Sequence, residues 1–179
     1  MRWCVALIGL AGVATLPPLA AAGTPGVKVY QSSDQNMTEG DTTIDGEPAD
    51  TYAICLDYAK WTDVFPDVAK VIVTDQHGVD AHVTLVAPTG HRDNLHFHNQ
   101  PAARMIYFED TGNGGHADVW AEIMFVPGEQ PRTTRVHIKL YAEVKGIASV
   151  VVSDSSVRKQ RETKIERDLA HIRAYFHRP

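Results

Sequence analysis

Histidine is the residue type here that could most readily do chemistry. Five of the nine histidines fall between His77 and His98. Neutral imidazoles are good zinc ligands, and adjacent antiparallel strands could bring His82, His96 and His98 together. The period-two pattern argues against an interior site. His82 alternates with Val83 and Leu85, and His96 alternates with Leu95 and Phe97. If the apolar set faces a core, these histidines face solvent, and His137 is opposite the apolar set of its own strand. No metal and no cofactor is expected from this pattern.

Carboxylates come next. Asp118 and Glu122 share the parity of Trp120, opposite Ile123 and Phe125, so they also read as outward. Tyr107 and Glu109 are the candidates for polar groups facing inward, because the parity of Met105–Glu109 is ambiguous. No G-x-S-x-G elbow and no HExxH occurs. Gly112–Gly115 is glycine-rich but leads into a strand, and a phosphate loop needs a helix N-terminus after it. A hairpin turn is the reading.

The elements that position these residues have two periods. Pro48–Tyr58 and Lys60–Val64 read as short helices, with Pro66 ending the second. Asn36–Asp45 reads as a first strand. Then Val68–Thr74, Val79–Leu85, Arg92–His98, Met105–Glu109, Asp118–Val126 and Thr133–Val144 alternate, separated by Gly, Pro and Asn turns. Short links imply an antiparallel meander with one face in water. Ser155–Phe176 has no Gly or Pro, and Ile165, Leu169, Ile172 and Phe176 share one helical face. Ser155 or Ser156 can cap it. Its Arg, Lys, Glu and Asp positions read as a solvated face.

Val83, Leu85, Leu95, Phe97, Ile123, Phe125, Ile138 and Leu140 should therefore face Ile165, Leu169, Ile172 and Phe176. Periodicity alone predicts a filled core there.

The chain has 179 residues, 44% of them apolar, and a net charge of -5. One domain is expected, and nucleic acid and anionic membrane are disfavoured as partners. Arg2, the apolar run Trp3–Leu16, Pro17-Pro18 and Ala20-Ala21-Ala22 read as a signal peptide over 1–22. Export follows, to the periplasm if the source is bacterial and otherwise by secretion. The alternative is an uncleaved anchor, for which the apolar run is short. Residues 23–35 read as a loose leader and 36–179 as the domain. Cleavage leaves Cys55 as the remaining cysteine, a small buried hydrophobe in AICLDY.

The succession of Pro48–Tyr58, Trp61-Thr62-Asp63-Val64-Phe65-Pro66-Asp67-Val68, the strands, and Val144-Lys145-Gly146-Ile147 leading into Arg158–Phe176 resembles the START-like superfamily, also called SRPBCC or polyketide cyclase-like. The resemblance spans about residues 36 to 176 and rests on order and spacing. It implies an α+β helix-grip fold: a curved seven-stranded antiparallel sheet around the C-terminal helix, with two short helices after the first strand. It also implies an apolar cavity between sheet and helix for a lipid, sterol, quinone or polyketide-like molecule. On that reading the cavity residues are Val83, Leu85, Leu95, Phe97, Tyr107, Ile123, Phe125, Ile138, Leu140, Leu169, Ile172 and Phe176. Access would be through Pro88–Asp93, Gln100–Arg104 or Gly112–Gly115. A cyclase or aromatase using the same cavity is an alternative. An accessory protein docking through the surface around Trp120 is another. Contact with membrane or protein would be transient.

Overall fold

The computed structural model describes residues 24–112, 117–146 and 153–177. The stretch read as a signal peptide, 1–22, and most of the Gly112–Gly115 turn lie outside the described residues. The strands are β1 (Val27–Gln31), β2 (Met37–Asp45), β3 (Lys70–His77), β4 (Asp80–Val86), β5 (Arg92–Gln100), β6 (Met105–Asp110), β7 (Ala117–Pro127) and β8 (Thr133–Val144). The helices are α1 (Pro48–Leu56), α2 (Trp61–Val64) and α3 (Asp154–Phe176). All strands join one antiparallel sheet in the order β1-β2-β8-β7-β6-β5-β4-β3. Among the described residues no helix is long and apolar enough to cross a membrane.

The sheet has eight strands where the sequence reading gives seven. The extra strand, β1, lies in the stretch read as a loose leader. Val27–Gln31 pairs along β2 from Thr42 to Thr38. Thr24, just before it, donates its N–H and hydroxyl to Glu166 of α3, at 2.8 and 2.9 Å. The leader is therefore held at both its sheet edge and its helix contact. Its five residues are too few, and too mixed with polar ones, to announce a strand by period.

The long strands follow their alternation. On β5, Asp93, Leu95, Phe97 and Asn99 point inward, and on β7 Ala117, Val119, Ala121, Ile123 and Phe125 do. Three of the four inward positions of β2 are small, Thr38, Gly40 and Thr42, and the fourth is Ile44. This lets α3 come close. A Cβ on Gly40 would lie 2.5 Å from Ile165 Cγ2 and 2.9 Å from Leu169 Cδ1. So α3 seats on β2, with further contact to β1 and β8. α1 lies on β7 and β8, and α2 touches α3.

Two details of α3 differ from the sequence reading. Its cap is Ser153, whose hydroxyl accepts from the Ser156 N–H at 3.3 Å. Its buried stripe begins at Val157 and includes Arg161, at 2% exposure, in place of a wholly solvated charged face. The Arg161 guanidinium donates to Thr38 Oγ1, Ala142 O and Gln35 O at 3.1, 2.9 and 2.7 Å. Those bonds repay the water it loses, and they tie α3 to β2 and β8.

Candidate functional site

The inner face of the sheet has two unlike parts. Beside α1 and α2 it is filled by aromatic rings. Phe97 lies 5.0 Å from Tyr58, 5.4 Å from Trp61 and 5.0 Å from Phe108, centroid to centroid, and Tyr52 meets Phe125 at 5.9 Å. Cys55 belongs to this packing, and burial pushes its thiol up to about 12, so it is inert at neutral pH.

Between α3 and the middle of the sheet a cavity remains. Water-sized bodies can occupy about 50 Å³ of it, and its empty space with the open mouth included is about 700 Å³. A water needs about 10–15 Å³ on this measure, so the cavity has room for a few waters. Its apolar walls include Trp61, Phe65, Leu85, Phe108, Ile123, Ile138, Leu140 and Ile165. Its polar groups are Asp67, Asp93, Lys164 and Asp168.

Of the residues expected from the sequence, Leu85, Ile123, Ile138 and Leu140 line the cavity. Val83, Leu95, Phe97, Phe125, Leu169 and Ile172 are buried in the packed core beside it. Phe176 is half-buried near the end of α3. Tyr107 is a correction. It points outward, its ring 6.1 Å from Trp120, and Glu109 is exposed on the same face. The inward residues of β6 are Ile106 and Phe108. Four consecutive apolar or aromatic residues, MIYF, hide the parity of that strand.

The outer face carries the other groups that the sequence singled out. His82 stacks on His96 with centroids 4.6 Å apart. His98 Nδ1 lies 2.7 Å from Asp80 Oδ1, and His137 sits between Asp41 and Glu39 at 3.0 and 3.3 Å. The last three contacts are histidine–carboxylate pairs on the outer face. Glu122 pairs with Lys139 at 3.2 Å, and Asp118 with Lys145. Trp120 is half-buried, stacked on Tyr141 at 5.3 Å.

The polar end of the cavity was not foreseen. Asp93 is 7% exposed, and its Oδ1 lies 3.0 Å from His91 Nε2. Burial pushes its carboxyl above the ordinary range, and the nearby His91 opposes that shift. Lys164 Nζ bonds both Asp168 oxygens at 2.6 and 2.7 Å and lies 3.8 Å from Asp67 Oδ2. Arg167 Nη2 reaches Asp67 Oδ2 at 3.0 Å. Burial also raises the Asp168 carboxyl, against Lys164, and lowers the His171 imidazole. Asp93 was legible in part, since it shares the parity of Leu95 and Phe97. Asp67, Lys164 and Asp168 were not, because a loop and a helix about a hundred residues apart bring them together.

The fold is START-like: an open antiparallel sheet with a long C-terminal helix across it, the helix-grip arrangement. A START superfamily protein from Mycobacterium smegmatis superposes with a TM-score of 0.65 at 16% identity, covering 78% of this chain and 96% of that one. The Zhui aromatase/cyclase from Streptomyces sp. R1128 gives 0.61 at 13% identity, over 84% of this chain and 91% of that one. A Thermus thermophilus protein, TTHA0849, gives 0.64 at 16% identity, over 78% and 96%. At these identities the likeness shows the fold. No family model and no curated protein matches the chain.

Proposed function

We propose that this protein binds a hydrophobic small molecule in the cavity between the sheet and α3, and carries it without chemistry. The observation behind this reading is the cavity itself: apolar walls from β4, β6, β7, β8 and α3, with charged groups confined to Asp67, Asp93, Lys164 and Asp168. Such a site holds an apolar body by desolvation, at about 25 cal/mol per Å² removed from water. A few polar groups then set its orientation. Space for a few waters suits a compact ligand better than a long one. A lipid, sterol or quinone needs the mouth to open, and the Pro88–Asp93 turn borders the cavity through Asp93, with Ala87 just before the turn also lining it. Gln100–Arg104 lies at the opposite end of β5 and is the poorer route.

The test is native mass spectrometry of protein purified without denaturant, followed by solvent extraction. An apolar molecule at near one per chain supports the carrier reading. A clean apo mass, unchanged by a panel of lipids, quinones and small aromatics, sinks it. Export belongs to the same proposal, and N-terminal sequencing of protein from an exporting host should begin at Gly23.

A cyclase-like enzyme is the second reading, favoured by one observation. Asp93 lines the cavity and is backed by a histidine whose side chain reaches solvent, at 21% exposure. A desolvated carboxyl with such a partner can exchange a proton with a bound ligand. Hydrogen–deuterium exchange beside the carbonyl of a small aromatic ketone, followed by NMR, should then be faster with wild type than with Asp93→Asn. Equal rates would remove this reading.

A further inference from the structure

Next to Asp67 and Asp168 of the cavity wall, an acid–histidine cluster holds buried polar atoms that have no hydrogen-bond partner among the described residues. Asp168 and His171 lie three residues apart on α3, on one side of the helix. Asp67 follows Pro66 in the connection from α2 to β3. One ligand atom from each lies within 4.8 Å of the others. Asp67 Oδ1 and His171 Nδ1 are out of contact with water and have no hydrogen-bond partner among the described residues. The other Asp67 oxygen is taken by Arg167, and both Asp168 oxygens by Lys164. Buried polar groups are rarely left so, and a bound ion is one way to satisfy them.

We propose that Asp67, Asp168 and His171 form a binding site for a divalent transition-metal ion of the zinc class. Two carboxylate oxygens and one imidazole nitrogen are a donor set that zinc accepts. The imidazole sets it apart from magnesium and calcium sites, which are built from oxygen. Zinc bonds of about 2.0–2.1 Å hold tetrahedral donors roughly 3.4 Å apart, so small side-chain rotations close the set. The Lys164 ammonium now holds Asp168, and the ion would take its place as the counter-charge. Three protein ligands leave a fourth position for water or for an oxygen of a bound molecule. The site does not depend on what the cavity binds.

The role of Lys164 makes the test sharp. Protein stripped with a chelator is titrated with cobalt(II), read by its visible absorption, and then with zinc in competition. Saturable binding near one per chain is expected. Asp168→Asn and His171→Ala should each weaken it by at least about tenfold. Lys164→Met keeps all three ligands and should tighten it, by about tenfold. The outer-face histidines are intact in every variant and give a constant background. Circular dichroism melts check that each variant folds. The proposal is overturned by no saturable binding, or by affinity unchanged in the two ligand variants. It is equally overturned if Lys164→Met weakens the site, and then a shared water accounts for the two bare atoms.

Discussion

The aromatic part of the inner face and the cavity part are built on the same strands with the same alternation. They differ in side-chain volume and in what covers them. Phe97 and Phe125 meet Tyr52, Tyr58 and Trp61 from α1, α2 and the turn between them, and the space closes. Further along the strands Ala121, Ile123, Ile138 and Leu140 face α3 at Ile165. There the helix is held off centre, drawn to β2 by Gly40. An apolar period therefore marks a face as buried without saying whether that face is filled.

The largest expected effect tests the filled part. Phe97→Ala should cost about 3–5 kcal/mol in denaturant unfolding, because the rings around it lose their common partner. Ile123→Ala, at the cavity wall, should cost nearer 2 kcal/mol, the low end for such truncations. Equal losses at the two sites would mean that the cavity closes in solution.

A smaller effect comes from adding volume. Ala81 and Ala121 are both buried inward alanines, at 1% and 3% exposure. Ala81→Leu pushes into the packed part and should cost about 1–3 kcal/mol. Ala121→Leu points into the cavity and should cost less, while abolishing binding of any apolar ligand found there. A similar loss at both positions would break the distinction.

The smallest effect concerns Asp93. Its carboxyl is raised in the folded protein, so folding favours the protonated form. That contribution is fully present below the unfolded carboxylate range and is lost as pH rises through the raised one. Asp93→Asn should therefore raise the melting temperature slightly at pH 7. The gain should fade as the pH is lowered into the carboxylate range. A loss of stability at pH 7 would show that the His91 contact outweighs burial.

Much of this was legible from local pattern. The strand parities of β4, β5, β7 and β8 placed the outer-face histidines His82, His96 and His98 and the inward apolar set. β6 was not legible, because Met105–Phe108 is apolar on both faces and only its neighbours choose between them. β1 was missed because a five-residue edge strand draws its stability from pairing with β2, not from its own composition. Arg161 looked solvated because a helical wheel shows charge but not the carbonyls that wait for it.

The sequence by itself determined the order of elements from β2 onward, the turns between strands and which side of each long strand is apolar. Those follow from steric and hydrophobic preferences acting over a few residues. Only the tertiary structure decided that α3 seats on β2 and leaves a cavity, and that Asp67, Asp93, Lys164 and Asp168 line it together. Those depend on how rigid elements fit across more than a hundred residues of chain, where a missing Cβ at Gly40 counts for more than any local propensity.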